Sequence, residues 1–348
     1  MDNKTVKHIL FVVSLGSIYH RVIPLIESLK DENLLVVTPN ENIFKFFKNY
    51  TPFPTIQIKV NSNLITKSTW YGAPINAIRS KFEYTKLFKD IKNANVYFFG
   101  TGSMIVVFSY IQKLAKHNKL FLYHPNKDKV KKYLEPTIVE NWKTKIICEG
   151  IKLLLGIDIK IRKDCGLYNF CIYKKFFNKN KVKEIFQEFD HSVYKKYMKD
   201  LPILKDKKVL LLLSDLVTEG RVEKNIFTNQ MNKLNLILER HYQFQFVVKP
   251  HPNLSKLYGA MRNTPQIDYY IPSQFIMNHP WEVVIADCSA SLVAPEEQNL
   301  GGVKLIELVD LLQFKDKKVQ KELKDFLVKW NPNLLFPKTF DELEVMLK

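Results

Sequence analysis

The sequence predicts an α/β protein of two units, each with a parallel sheet wound between helices. Two observations carry that expectation. Apolar runs of strand length alternate with amphipathic stretches from Ile9 to Tyr123, and the alternation resumes at Val209 after a basic, aromatic and irregular stretch from Lys160 to Lys208. Strands that alternate with helices need crossover connections, so the sheets they form are parallel and doubly wound.

The elements follow in order. Ile9 to Val13 reads as a buried strand and Ser14-Leu15-Gly16-Ser17 as its exit loop. Val22, Leu25, Ile26 and Leu29 then lie at i, i+3, i+4 and i+7 of an amphipathic helix. Leu34 to Val37 is the next strand, followed by a helix over Ile43 to Phe47 and a strand near Ile56 to Val60. Further on come the strand Val96 to Phe99, the loop Gly100-Thr101-Gly102-Ser103, an apolar helix to Leu114 and the strand Leu120 to Tyr123. Beyond Cys171 the basic stretch carries no clear strand signal and reads as helices joining two lobes. The second series has strands at Val209 to Leu213, Phe246 to Val248, Ile267 to Tyr270, Val283 to Ala286 and Val303 to Leu305, with a helical stripe of Phe227, Met231, Leu234 and Leu238. The expected division is therefore 1–160, a basic helical linker region over 161–206, and 207–348.

The chain of 348 residues is long enough for two cores, and 46% hydrophobic against 25% charged residues marks it as globular. No apolar run approaches the roughly 18 to 20 residues that cross a bilayer, and Met1-Asp2-Asn3-Lys4 opens no signal-peptide segment. The expected location is the cytoplasm. Cys148, Cys165, Cys171 and Cys288 show no Cys-x-x-Cys spacing, so neither a zinc site nor a disulfide framework is expected. The formal charge of +18 favours a polyanionic partner, and the lysines are spread along the chain without a nucleic-acid-binding signature. An anionic membrane surface suits that distribution better than nucleic acid does.

Two apolar runs end abruptly in residues that can grip an anion. Phe246-Val247-Val248 runs into Lys249-Pro250-His251-Pro252, and Val283-Val284-Ile285-Ala286 into Asp287-Cys288-Ser289-Ala290-Ser291. Ligands of an open parallel sheet collect at the carboxyl ends of its strands, so the two endings point to one pocket. Lys249 brings a positive charge, His251 an imidazole, Pro252 a fixed turn, and Ser289 and Ser291 hydroxyls and N–H groups. His279-Pro280 precedes a strand and reads as structural. Ser14-Leu15-Gly16-Ser17-Ile18-Tyr19 lacks the glycines of a dinucleotide fingerprint, and neither a phosphate loop of the Walker type nor an Asp-x-Asp pair occurs.

Two lobes with such strand ends in the second are the layout of GT-B glycosyltransferases, two facing Rossmann-like domains. Within that class the chain resembles the bacterial sialyltransferases of lipooligosaccharide and capsule polysialic acid. His251-Pro252 resembles the family's His-Pro motif and Ser289-Ala290-Ser291 its serine motif, while His124-Pro125-Asn126-Lys127-Asp128 stands where the family has its acidic pair. The resemblance implies an inverting, metal-independent transferase that moves a nonulosonate from a CMP donor to a surface glycan or glycolipid acceptor, with no cofactor. It implies His124 as the general base in place of the family's carboxylate, with Asp128 nearby. His20, in Tyr19-His20-Arg21-Val22-Ile23-Pro24, is a second candidate base. Gln274, after Ile271-Pro272, stands near the family's ribose-binding glutamate, and Glu296 and Glu297 are alternatives for that role. The basic surface implies peripheral contact with the inner face of the cytoplasmic membrane. A transferase of the Kdo or glycerol-phosphate type, and a non-catalytic nucleotide- or glycan-binding component of a capsule assembly complex, are the alternatives.

Overall fold

The computed structural model describes residues 6–13, 15, 18–29, 33–58, 82–99, 110–111, 113–123, 141–155, 160–161, 170–171, 182–184, 200–252, 254, 257–292 and 300–348. The chain divides into two compact units, Met1–Tyr197 and Met198–Lys348. Both are α/β, each with a sheet of parallel strands.

In the first unit, β1 (His8–Val12), β2 (Leu34–Thr38), β3 (Thr55–Gln57), β4 (Asn95–Phe99), β5 (Lys119–Tyr123) and β8 (Val182–Glu184) form a sheet in the order β3-β2-β1-β4-β5-β8. Every neighbouring pair is parallel. All residues of β1 and β2 are buried, as expected of strands covered on both faces, which is why they read in the sequence as unbroken apolar runs. A π-helical turn over Ile18–Val22 leads into α1 (Ile23–Leu29), and α2 (Glu41–Tyr50) follows β2. Asn40 caps α2, its side chain accepting from the N–H groups of Asn42 at 2.8 Å and Ile43 at 3.2 Å. Phe88 packs between Phe11 and Tyr110, the latter edge-on at 5.7 Å.

Two differences from the sequence reading fall here. β8 lies within the stretch read as a linker without strands, and pairs with β5 in the register Leu120↔Val182. Val182-Lys183-Glu184 is a three-residue strand at the sheet edge with one apolar residue, so it leaves no hydrophobic run to be seen. A short antiparallel pair, β6 (Lys160–Ile161) and β7 (Phe170–Cys171), precedes it. Between β5 and β6 lies α3 (Trp142–Leu155).

The second unit orders β9 (Val209–Leu213), β10 (Phe246–Pro250), β11 (Val283–Ala286) and β12 (Lys304–Glu307) as β10-β9-β11-β12, all parallel. Helix α4 (Lys224–Tyr242) presents the expected stripe of Phe227, Met231, Leu234 and Leu238 to a core shared with β9, β10 and β11. Helices α5 (Ser273–Met277), α6 (Lys317–Trp330) and α7 (Phe340–Leu347) complete the unit, with Asp316 and Thr339 capping the last two. The strand expected at Ile267 to Tyr270 is instead a turn. Ile267 N–H donates to Val248 at 2.8 Å as an isolated bridge contact, and the chain then folds back through Ile271 N–H to Asp268 C=O at 3.0 Å. Ile267 and Tyr270 are buried one by one, without a ladder, which mimics a strand in composition.

Gly259 opens the helical turn Gly259–Asn263 with φ of +55°, and a Cβ there would lie 2.0 Å from Asn232 Oδ1. That oxygen accepts from Ala260 N–H at 2.7 Å, so moving it breaks a bond between α4 and this turn. Gly259→Ala combines a left-handed alanine, about 1–2 kcal/mol, with loss of that bond, about 1 kcal/mol. Urea unfolding should give a stability lower by about 2–3 kcal/mol, and an unchanged midpoint would contradict the packing described.

Candidate functional site

The topology of the second unit selects one place on its sheet. From β9 the chain passes to β10 on one side and then crosses to β11 on the other, so β9 and β11 form the switch point of the sheet, the place where an open parallel sheet leaves a crevice for ligands. Ser214 and Asp215 end β9 there, and Asp287, Cys288 and Ser289 end β11. Lys249 and His251 end β10 beside them, and Glu307 ends β12.

The two strand ends are tied by side chains from the strands themselves. Asp287 Oδ1 accepts from Ser214 N–H, joining β11 to β9, and Glu307 Oε1 accepts from Cys288 N–H, joining β12 to β11. Both carboxyls are completely buried, and burial pushes each well above the ordinary carboxylate range. Between them Cys288 takes a left-handed φ of +75°, which costs a non-glycine residue about 1–2 kcal/mol. Burial also pushes its thiol up, with Glu307 and Asp287 adding to the effect, so Cys288 is not a thiolate nucleophile.

That turn aims the serine loop. Ser289 Oγ accepts from Ser291 N–H at 3.2 Å, its carbonyl accepts from Leu292 N–H at 3.2 Å, and Ser291 Oγ lies 2.7 Å from Ser273 Oγ at the start of α5. Asn331 Nδ2 donates to Leu292 C=O at 2.8 Å and anchors the loop from below. Gln274, half-buried on α5, is the residue after Ser273, whose hydroxyl meets Ser291.

Lys249 and His251 have different posts. The Lys249 ammonium is buried, 4% exposed, and donates to Pro250 C=O at 2.7 Å and Tyr269 C=O at 3.0 Å. It stitches the end of β10 to the turn at Asp268–Ile271, a task that directs two of its donors away from a ligand. Burial lowers its pKa to about 7, against the pull of Asp268. His251 is half-buried and its pKa is lowered, chiefly by burial, while Asp215 raises it and Lys249 lowers it. A neutral imidazole with Asp215 beside it can donate one N–H to an anion without an imidazolium's desolvation cost. Pro252 forms the turn that follows.

The structure thus places His251 after β10 and Ser289 and Ser291 after β11, at the carboxyl edge of one sheet with β9 between them. His20 lies on the π-helical turn after β1 in the other unit. His124, Asp128, Glu296 and Glu297 lie outside the described residues. His279 Nε2 donates to Lys207 C=O at 2.9 Å and packs on Trp281, in keeping with a structural role. The sequence reading did not single out Ser214, Asp215, Arg221, Asp287 or Glu307. The signal available for two of them, Asp215 and Asp287, was an acid placed just after a wholly apolar run, as in Val283 to Ala286 before Asp287, whereas Glu307 sits between Ile306 and Leu308. Arg221 closes the loop after β9, paired with Glu219 at 2.7 Å and acting electrostatically on Cys288. Among the described residues no three His, Cys, Asp or Glu side chains converge as a metal cluster, and no helix is long and apolar enough to cross a membrane.

No protein-family model matches the chain, and no curated protein matches it in sequence. Among solved structures it is similar to the wall teichoic acid polymerase TagF soaked with CDPG, at 12% identity and a TM-score of 0.44, over 100% of this chain and 80% of that one. It is similar to the spinosyn forosaminyltransferase SpnP at 9% identity and a TM-score of 0.44, over 98% and 89% of the two chains. It is also similar to UDP-N-acetylglucosamine 2-epimerase from Rickettsia bellii, at 13% identity and a TM-score of 0.40, over 98% and 94%.

The buried lysine gives the second unit a pH signature. Below pH 7 folded and unfolded chains both hold the Lys249 proton, and the cost of burying the charge is fully present. Between about 7 and 10.5 the folded chain releases the proton while the unfolded chain keeps it, so stability rises with pH. Lys249→Met removes this contribution. Between pH 7 and 9 the stability difference should move toward the wild type by up to about 1.4 kcal/mol per pH unit, read by urea unfolding of both proteins. Parallel pH profiles would show that Lys249 does not titrate there.

Proposed function

We propose that the chain is an inverting glycosyltransferase of the GT-B type, in which the second unit holds a CMP-activated nonulosonate and the first supplies the acceptor side. The observation that carries this reading is the placement of the Ser289–Ser291 loop after β11, at the switch point with β9, and of His251 after β10 at the same carboxyl edge, where an open parallel sheet binds ligands. The donor set is neutral or hydrogen-bonding, as suits a single phosphate. The His-Pro and serine motifs, in the order found in the sialyltransferases, support the choice of CMP.

In the proposed reaction an acceptor hydroxyl oxygen attacks the anomeric carbon from the face opposite the nucleotide. The bond from that carbon to the phosphate oxygen breaks and its electron pair leaves with CMP. His251 and the serine loop bear the charge that develops on the phosphate. The acceptor proton passes to a base on the first unit, assigned to His124, with Asp128 and His20 in reserve; Gln274 addresses the ribose hydroxyls. No metal or organic cofactor enters this scheme.

The acceptor side is proposed to work at an anionic membrane surface. Helix α3 supports this, because Trp142, Ile146 and Leu153 lie within about 40° of one another around a helix of 3.6 residues per turn and are 68%, 62% and 87% exposed. Exposed Lys143, Lys145 and Lys152 lie outside that apolar stripe, the pattern of a helix lying in a lipid interface. Vesicles with anionic lipid should sediment the protein and blue-shift its tryptophan emission, and Ile146→Glu with Leu153→Glu should abolish both effects. Equal binding to neutral phosphatidylcholine vesicles, or none to either, would remove the membrane from this account.

The central test is a nucleotide panel. CMP should raise the melting temperature more than UDP, GDP or CDP, without Mg²⁺, by an amount set by RT ln(1 + [L]/Kd). His251→Ala should fold normally and lose about 10² or more in kcat, the scale of one lost donor to developing charge. His124→Ala should stop transfer and leave CMP binding intact. A larger shift with UDP, or one that needs Mg²⁺, would move the donor to a nucleoside diphosphate sugar, and normal turnover in folded His251→Ala would sink the phosphate grip.

A further inference from the structure

Asp287 and Glu307 end neighbouring strands, and neither side chain reaches solvent: both residues are 0% exposed. Each gives one oxygen to a backbone N–H of the site, Ser214 for Asp287 and Cys288 for Glu307, and the Ser289 N–H also bears on Glu307. The other oxygens, Asp287 Oδ2 and Glu307 Oε2, are buried without a hydrogen-bond partner. Neither carboxyl is in an ion pair among the described residues. Two adjacent carboxylates cannot both stay ionised in a dry environment without a cation, because the desolvation cost exceeds that of binding a proton. Burial favours the neutral form of both, and the charge of Asp287 adds to the effect on Glu307.

We propose that Asp287 and Glu307 are positioning residues that act as neutral carboxylic acids, fixing the Ser214 and Cys288–Ser289 amides at the switch point while adding no negative charge beneath a bound phosphate. This rests on the reading of that crevice as a phosphate site. An ionised carboxylate would hold the same N–H groups more strongly, yet it would repel the anion those groups receive. A neutral acid gives up part of the first effect to avoid the second. Of the titratable groups around the pair, the Cys288 thiol lies between the two strand ends and stays protonated, and Arg221 and Glu219, from the loop after β9, act on that thiol. Asp215 stands at β9, and His251 and Lys249 at β10. Arg221 is the one permanent cation in this group and is engaged by Glu219, so it does not supply either buried carboxyl with a counter-ion.

The test is CMP affinity by calorimetry between about pH 7 and 9.5 in the wild type, Glu307→Gln, Asp287→Asn and Glu307→Ala. Gln and Asn keep the accepting oxygen and cannot ionise, so they should match the wild type at pH 7 within about threefold. Alkaline pH that ionises either acid should weaken the wild type relative to the amide variants, by about tenfold for one pKa unit of coupling between the new charge and the anion. Glu307→Ala, which loses the acceptor, should weaken at every pH while its far-ultraviolet circular dichroism stays native; if it fails to fold, the amide variants still decide the matter. A wild type that already binds CMP about tenfold more weakly than both amide variants at pH 7, or a Glu307→Gln as weak at pH 7 as Glu307→Ala, would overturn the proposal. Inorganic phosphate serves as the second probe. Binding of phosphate with this pH dependence and no binding of CMP would sink the nucleotide reading and leave the role of the pair standing, and binding of neither would overturn both.

Discussion

The candidate site depends on a single constraint: a parallel sheet buried on both faces must end its strands without abandoning polar backbone groups to an apolar interior. β9 and β11 are wholly buried, so the N–H groups just beyond them cannot rely on water. The second unit meets this with acids from the strand ends themselves. Asp287 reaches across to Ser214, and Glu307 to Cys288, so that three neighbouring strands are tied at the same level. The left-handed turn at Cys288 and the hydroxyl pairing of Ser291 with Ser273 follow from where those ties hold the chain. A loop fixed in this way presents hydroxyls and amides in one geometry and loses little entropy when a ligand arrives.

Charge is distributed around the same strand ends in an order that burial explains. Lys249 and the two acids are deeply buried, and burial moves all three toward neutrality, the lysine down and the acids up. His251 is only partly enclosed. It is subject to opposing influences, with Asp215 and Glu219 favouring its charged form and burial and Lys249 disfavouring it. Under the proposed reading, an anion there would be held by oriented dipoles more than by the charges of these three groups. That suits a reaction in which negative charge grows on a leaving phosphate, because dipoles fixed by packing need no reorganisation when the charge appears.

The sheets were legible in the sequence for the same reason that the acids were not. Central strands such as Leu34–Thr38 and Val209–Leu213 are buried on both faces and appear as unbroken apolar runs, so their places could be read directly. β8 could not be read that way, since a three-residue edge strand with Lys183 at its centre carries no hydrophobic signal. The turn at Ile267–Tyr270 imitated a strand because separate side chains were buried without a ladder. Near the second sheet, His251 and the serines were singled out because polar residues after an apolar run stand out. Asp287 was in view within the same motif, but its part depends on Ser214, 73 residues away in sequence, and such a contact leaves no local pattern. Lys249 was read as a point charge for a ligand, whereas its partners turned out to be the carbonyls of Pro250 and Tyr269, the second of which comes from a turn that the sequence presented as a strand.

The two units carry different parts of the functional reading, and their strand orders explain the division. The first has the order β3-β2-β1-β4-β5-β8, with its switch point between β1 and β4, and the turn bearing His20 follows β1 directly. The second has its switch point between β9 and β11, where the serine loop and the buried acids lie. Under the proposed reading the two units bring different residue types, a base in the first and oriented N–H and hydroxyl donors in the second. A transfer reaction needs both, since activating an acceptor and stabilising a leaving group call for a base and for donors that must not neutralise each other. Separate sheets keep the two sets apart while each is held by its own core, so a change in the acceptor machinery can leave the phosphate grip intact.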